Sequence, residues 1–410
     1  MLPSGRTVFL FSLFLLAFGG MFSRLVRAAG GGPDLAKSSN RFAFDLYRAL
    51  KAEPGNFTFS PASISIALTM PWSGARGATA TQMAATLHLA GPPDTVVPAA
   101  GALLRGLNQP GRTGTLRVAN RLFVEKSYPL EPAFLTRMSA FEAPAEAVDF
   151  RHAPDPARVH INQWAAQQTA NRIRDLVPPG AITDQTRLAL VNAVYLLADW
   201  LEPFTKEATR PQPFYAAGRT HDVPTMHQVK SFGYTEAPGV QVMEMRYQGD
   251  ELAMDVILPT ARDGLAALEQ QLDATRVAGW LDALKPEKLV VSLPKFTIDP
   301  PRPIALAEEL VALGMKDAFD RERADFTGIA NPPHPDDRLV VSQVFHKAFV
   351  KVDEKGTEAA AATAVVMVRA GSAAPVSRPK EFVADHPFLF LIRDLRSGLI
   401  LFLGRVSDPD

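Results

Sequence analysis

The chain reads as an α+β fold built as one large domain. Two observations point there. Helical stretches come first, and strands and helices are then mixed without the strict βαβ alternation of a parallel doubly wound sheet. No internal repeat and no polar linker divides the 410 residues, although length alone would allow two or three domains.

The N-terminus, MLPSGRTVFLFSLFLLAFGGMFSRLVRAAGGG, carries Arg6, an apolar run from Val8 to Phe18, and then small residues. This is the pattern of a signal peptide over residues 1–28, with Val26 and Ala28 fitting cleavage after Ala28. A membrane span needs about 20 apolar residues, and this run is shorter. Residues 29–37 are then a flexible segment ahead of a domain over 38–410, and the mature protein is expected outside the cytoplasm, secreted or periplasmic.

SSNRFAFDLYRALKA places an apolar stripe at Phe42, Leu46 and Leu50 behind Asn40 as N-cap, so it reads as an amphipathic helix. NFTFSPASISIALTM begins as a strand and turns helical after Ser60-Pro61, a cap followed by a first-turn proline. Its Asn56-Phe57-Thr58 matches a glycosylation sequon, but it sits in an apolar run and reads as structure. LRVANRLFVEK and RLALVNAVYLLADW are strand-like, while INQWAAQQTANRIRDLV has helical spacing through Ile161, Trp164 and Ile173. ELAMDVILP, KLVVSLPKFTID and LVVSQVFHKAFVKVD read as strands. AALEQQLDATRVAGWLDAL and ALAEELVALGM read as helices. HPFLFLIRD and LILFLGRV, joined by a Leu-Arg-Ser-Gly turn, form a buried hairpin, and Arg393, Asp394 and Arg396 exclude a membrane reading.

Composition narrows the function. With 47% hydrophobic and 21% charged residues and a formal net charge of zero, there is no basic field for nucleic acid or acidic membranes. The absence of cysteine removes disulfides, thiol catalysis and cysteine-ligated zinc. The eight histidines form no HExxH-type pair, so neither a metal nor a cofactor is expected. No G-x-S-x-G elbow supports a hydrolase.

The segment 339–370 is the informative one. Leu339 to Asp353 would span about 50 Å as one extended strand at roughly 3.3 Å per residue, far beyond the usual length. One face carries Val340, Ser342, Val344, His346, Ala348, Val350 and Val352, so His346 reads as a buried, hydrogen-bonded histidine. Next, GTEAAAATAVVMV has two readings. Ala359 to Ala362 would suit a short surface helix. With period two, however, Thr357, Ala359, Ala361, Thr363, Val365 and Met367 form one small, uncharged face. A strand entering a packed sheet needs that face, because buried charge and overpacking both cost several kcal/mol. Gly356 supplies backbone freedom for a hinge. Periodicity alone leaves both readings open.

These residues resemble the serpins, a family of serine protease inhibitors. DEKGTEAAAAT is similar to the hinge of their reactive-centre loop, NFTFSPASISIAL to their strand-to-helix junction, and LVNAVYLLADWLEPF to their central strand. ADFTGI, HKAFVKVDEKGTEA, ADHPFLFLIRD and LILFLGRVSDP follow in the family's order, so the resemblance covers Ser38 to Asp408. It implies a single α+β domain of three sheets and eight or nine helices, with an exposed loop over about 356–380. It also implies a suicide-substrate mechanism: a serine protease cleaves the loop, forms an acyl-enzyme, and is trapped as the loop inserts into the central sheet.

By the same resemblance, Ser60, Ser63, Asn192 and His346 match the shutter cluster, and Trp200 matches the breach where insertion begins. Glu354, Gly356, Thr357, Ala359, Ala360, Ala361, Ala362 and Thr363 match the hinge. The family's loop spacing puts the scissile bond at Ala370-Gly371, implying an elastase-like target. One residue earlier, Arg369-Ala370 would imply a trypsin-like one. Leu197-Ala198-Asp199 departs from the Lys-Gly-Lys of many relatives, 371–386 is longer than usual, and Pro71 falls inside an expected helix, which it should kink or break. HLAGPPDTVVPAAGALLRGL lacks a basic helix for heparin, and a monomer is expected. The rival is a non-inhibitory serpin with a carrier, chaperone or storage role. Such members often carry bulky, charged or proline residues in the hinge, where this chain has Thr357 and four alanines.

Overall fold

The computed structural model describes residues 33–109, 113–141, 145–334, 337–357 and 379–409. The chain starts with α1 (Leu35–Leu50), β1 (Phe57–Phe59), α2 (Pro61–Trp72), α3 (Gly77–Thr86) and α4 (Pro93–Leu107). There follow β2 (Thr115–Glu125), α5 (Pro132–Met138), β3 (Glu146–Val148), α6 (Pro154–Gln168) and β4 (Leu188–Asp199). Next come β5 (Arg210–Ala216), β6 (Arg219–Ala237), β7 (Val240–Arg246), β8 (Leu252–Pro259), α7 (Leu265–Gln270) and α8 (Ala274–Asp282). β9 (Lys285–Pro294), β10 (Phe296–Ile298), β11 (Ile304–Ala305) and α9 (Ala307–Ala312) lead to β12 (Gln343–Ala348), β13 (Val350–Val352) and β14 (Gly356–Thr357). β15 (Lys380–Val383), β16 (Phe388–Asp394) and β17 (Ile400–Val406) close the chain.

The strands form an eight-stranded and a nine-stranded sheet. The first runs β10-β13-β14-β4-β12-β11, with β2 on the other edge of β4 and β3 beside β2. The second runs β1-β17-β16-β8-β7-β6-β9-β15. Its long β6 pairs with β5 at its start and with β7 at its end. The three anticipated sheets are thus one eight-stranded sheet and two sections of another that share β6.

β4 shows why the central run is apolar throughout. Leu188, Leu190, Val194, Leu196 and Ala198 face the main core. Ala189, Val191 and Ala193 face a second cluster with Ile161, Trp164 and Ala165 of α6. Both faces of the strand are covered, so alternation disappears. α2 is likewise buried all round: all twelve of its residues are covered, and the hydroxyls of Ser63, Ser65 and Thr69 are hydrogen-bonded.

Four local expectations change. α1 starts at Leu35, capped by the Asp34 side chain on the Lys37 amide, so residues 35–37 are helical rather than a flexible leader. Asn40 instead ties the α1 surface to the last hairpin, donating to Gly398 O and accepting from the Ile400 amide. α6 stops at Gln168, because Ala170 and Asn171 adopt positive φ of 48° and 62°; Ile173 is buried, but not on that helix. The run 339–353 is not one strand: pairing starts at Gln343 and changes partner at Phe349. Pro71 sits in the last turn of α2, which ends one residue later. Asn56 accepts from the amides of Ser407 and Asp408, a structural use of the sequon.

Candidate functional site at the centre of the eight-stranded sheet

β4 and β12 run parallel, with Gln343 to Ala348 opposite Ala189 to Val194. Above Ala348 the strands part. β13 leaves β4, and the two residues of β14 fill the slot, antiparallel to both neighbours. Gly356 lies opposite Asp199, and Thr357 lies opposite Ala198 on one side and Val352 on the other. Gly356 and Thr357, expected as the first residues of the hinge, therefore already occupy a strand position.

Glycine is required at 356 by close approach. A Cβ there would stand 2.0 Å from the carbonyl oxygen of Ala198. Thr357 is buried, and its hydroxyl shares a 2.6 Å hydrogen bond with the Tyr247 hydroxyl. Tyr247 stacks on Trp200 with ring centroids 4.4 Å apart. Trp200 clamps the turn before the hinge: its indole Nε1 donates to Asp353 O at 2.9 Å, and its amide donates to Lys355 O.

Glu354 anchors the base of the same turn. Its buried carboxylate accepts from Thr209 Oγ1 at 2.9 Å and from Lys295 Nζ at 3.0 Å. Burial pushes the carboxyl up, but its own amide, Lys295 and Thr209 outweigh this and hold it below the usual carboxylate range.

Midway down the same strands, the register sets Asn192 between Asn120 of β2 and His346 of β12. Ser60 caps α2 by accepting from the Ser63 amide, and its own amide donates to His346 Nε2 at 2.9 Å. His346 Nδ1 is bonded to Asn192 Oδ1, and the Ser63 hydroxyl donates to Asn120 Oδ1 at 2.9 Å. Burial pushes the His346 imidazole down to about 3, so the ring is neutral at pH 7. Since Nε2 accepts, Nδ1 carries the proton. The Nδ2 groups of Asn120 and Asn192 are buried without a partner among the described residues.

Ser60, Ser63, Asn192 and His346 are thus brought together, and Glu354, Gly356 and Thr357 join Trp200 in a second cluster. Ala359 to Thr363, Arg369, Ala370 and Gly371 lie outside the described residues, as do residues 1–32. Sequence reading missed Asn120, Tyr247, Thr209 and Lys295. A polar Asn120 inside an apolar strand was a usable signal; the other three sit in unremarkable local sequence. The Leu197-Ala198-Asp199 departure is accommodated, because Ala198 and Asp199 meet the hinge through their backbones. Among the described residues, no three His, Asp or Glu side chains converge as metal ligands.

Residues 37–409 match the family model described as Serpin (serine protease inhibitor). The chain is a serpin. It is 39% identical over 391 residues to the leukocyte elastase inhibitor of Homo sapiens, covering 92% of this chain and 99% of that protein. It is also 39% identical to an uncharacterized serpin-like protein of Thermococcus kodakarensis, over 90% of this chain and 84% of the relative. Among solved structures, a highly specific serpin of the insect Tenebrio molitor superposes with a TM-score of 0.81 at 32% identity, covering 92% of this chain and 98% of that one. Uncleaved ovalbumin gives the same TM-score at 28% identity, with 92% and 100% coverage. As a serpin, the protein is a protease inhibitor rather than an enzyme.

Proposed function

We propose that this serpin traps an elastase-like serine protease by inserting its cleaved loop between β4 and β12. The observation that carries the reading is the pairing of Gly356 and Thr357 with β4 and of Thr357 with β13. Continuing both registers downward would bring Ala359 opposite Leu196 and Val350, and Thr363 opposite Asn192 and His346. The two extrapolations agree with the observed Asn192–His346 pairing. The small face Thr357, Ala359, Ala361, Thr363, Val365 and Met367 would then share the main-core side with Ala198, Leu196, Val194, Asn192, Leu190 and Leu188. Glu358 would share the opposite face with Leu197.

The chemistry begins with the protease. Its serine oxygen attacks the Ala370 carbonyl, the Ala370-Gly371 amide breaks, and the Gly371 amine leaves with the proton delivered by the protease's general acid. An acyl ester joins Ala370 to the enzyme. Insertion then breaks the β12–β4 ladder and replaces it with two antiparallel ladders, one on each side of the new strand. The acylated protease is dragged with the strand, its catalytic site is distorted, and hydrolysis of the ester stalls. A scissile bond at Arg369-Ala370 would instead direct the inhibitor at trypsin-like enzymes.

Export of the inhibitor is part of the same reading. It is supported by the Arg6 and Val8–Phe18 pattern of residues 1–28 and by the family match starting only at residue 37. The experiment is to incubate the mature protein with pancreatic elastase and with trypsin, then run denaturing gels and mass spectrometry. A detergent-resistant complex with elastase and release of a peptide starting at Gly371 is expected. Cleavage by both enzymes without any complex would reject trapping; a peptide starting at Ala370 would reassign the target class.

A further inference from the structure

Where β4 and β12 begin, at the foot of their shared seam, lies a cleft of about 450 Å3, a size common for small-molecule sites. One side is the approach to β4, with Thr183, Gln185 and Thr186. The other is the run from Val340 to Gln343 that leads into β12, together with Ala307, Phe319 and Arg321. Those three belong to the β12 side: the Val341 amide donates to Ala318 O, and the Leu306 amide donates to Val344 O, both at 3.0 Å. Gly180 and Ala181 complete the lining.

Arg321 is the only charged side chain on that lining. Thr183, Gln185 and Arg321 are exposed, and Ala181, Ala307, Phe319, Ser342 and Gln343 are half-buried, so a ligand can reach them. Arg321 Nη2 donates to Gln185 Oε1 at 3.4 Å, which sets a guanidinium beside an amide that has two donors of its own. No carboxylate lines the cleft, and Asp320, next to Arg321 in sequence, is paired with Arg323 at 3.4 Å. A cation and an amide NH2 converging beside the half-buried Phe319 suit a carboxylate that carries an aromatic ring.

The two sides are joined across the seam. The Ser342 amide donates to Leu188 O at 3.2 Å, and the Arg187 amide donates to Ser342 Oγ at 3.4 Å. Continuing the registers of the proposed insertion sets residue 367 between Leu188 and Ser342, and residue 369 between Thr186 and Val340. The last part of the strand must therefore part the two sides of the cleft.

We propose that this cleft binds a small aryl carboxylate, with its carboxylate between Arg321 and Gln185 and its ring against Phe319 and Ala307, and that the bound molecule opposes the last step of insertion. Gln185 stands on the β4 side and Arg321 on the β12 side, so a ligand held by both binds the closed foot better than the parted one. It shifts the balance by that difference in affinity. An insertion that stalls short leaves the acyl ester time to hydrolyse, so more of the inhibitor is cleaved without trapping. This second part rests on the insertion reading; the binding does not.

The test uses the whole protein, 3-phenylpropanoate as probe, and NMR of the side-chain amides of Gln185 and Gln343. Saturable shifts are expected. Arg321→Gln should weaken binding about tenfold, as should 3-phenylpropanamide, which keeps the shape and loses the charge. With elastase, saturating probe should raise the ratio of cleaved to complexed protein several-fold in wild type and leave it unchanged in Arg321→Gln, which also controls for any action of the probe on the enzyme. Absence of saturable shifts would overturn the site. Equal binding of acid and amide, or undiminished binding to Arg321→Gln, would overturn the recognition of a carboxylate. Binding with an unchanged ratio would overturn the opposition to insertion. A protein that forms no complex even without probe would overturn that opposition together with the insertion reading, and the shifts alone would then decide the site.

Discussion

β4 meets the β12–β13 side of the sheet in two different ways. At the top, around Trp200, the strands have already parted and Gly356 and Thr357 sit between them. Midway, around His346, they are closed, paired directly and tied to α2 through the Ser60 amide. The upper region is held by groups that accept an entering strand: a Tyr247 hydroxyl on Thr357 and a stacked tryptophan beneath it. The middle region is held by a buried network of Ser60, Ser63, Asn120, Asn192 and His346, which in the proposed mechanism has to be broken for the strand to go further. Entry is therefore open and passage is guarded.

The largest expected effect breaks the entry. Thr357→Arg forces a charge into the slot beside Ala198, where burial of an unpaired charge costs several kcal/mol. Trapping should fall by about a hundredfold or more, leaving a loop that is cleaved as a plain substrate. A gel assay for the detergent-resistant complex measures this, and undiminished complex would contradict the entry geometry.

Breaking the guard comes next. His346→Ala leaves the Ser60 amide and Asn192 Oδ1 without partners and opens a cavity, costing about 3 kcal/mol in urea unfolding. Because the closed state loses more than an inserted one, this variant should also lose inhibitory activity on standing sooner than wild type. A variant of unchanged stability would mean that the network guards nothing.

Acid sharpens the comparison. His346 is neutral in the fold, with its pKa pushed down to about 3 from 6.5, so the unfolded chain binds the proton first. Its contribution is whole above pH 6.5 and is lost as pH falls towards 3, amounting to about 2 kcal/mol by pH 5. Glu354 is also lowered, from 4.5, so its contribution is lost only as pH falls below about 4.5. Urea unfolding of wild type and His346→Gln at pH 7 and pH 5 should show a steeper loss in wild type. Equal losses would place the pH sensitivity elsewhere.

The smallest effect lies at the top again. Tyr247→Phe keeps the stack on Trp200 and removes one hydrogen bond to Thr357, costing about 1 kcal/mol. Faster amide exchange at Gly356 and Thr357, with the rest of β4 unchanged, is the expected signature.

Much of this comparison was legible in sequence where the signal is local. The unbroken apolar run of β4 reflects two covered faces, and the burial of His346 expected from its apolar row is seen in β12, whose other side is buried as well. Gly356 stands out in the sequence as a conformationally free position, and in the structure glycine is needed there because the chain passes close to the Ala198 carbonyl. What was hidden depends on partners far along the chain. Asn40 has the type of an N-cap but bonds the hairpin at 398–400, while Asp34 caps the helix. Nothing near Tyr247 signals that it meets a threonine 110 residues later. The break at Phe349 follows the end of direct β12–β4 pairing at Ala348, beyond which β14 takes the place beside β4 at Ala198 and Asp199, a fact of pairing rather than of local pattern.

A crystal structure of the protein cleaved within its loop tests loop insertion most directly. A new strand between β4 and β12, antiparallel to both and carrying Thr363 opposite Asn192 and His346, is the predicted result. Asn192 still paired with His346, and the cleaved segment outside the sheet, would contradict it.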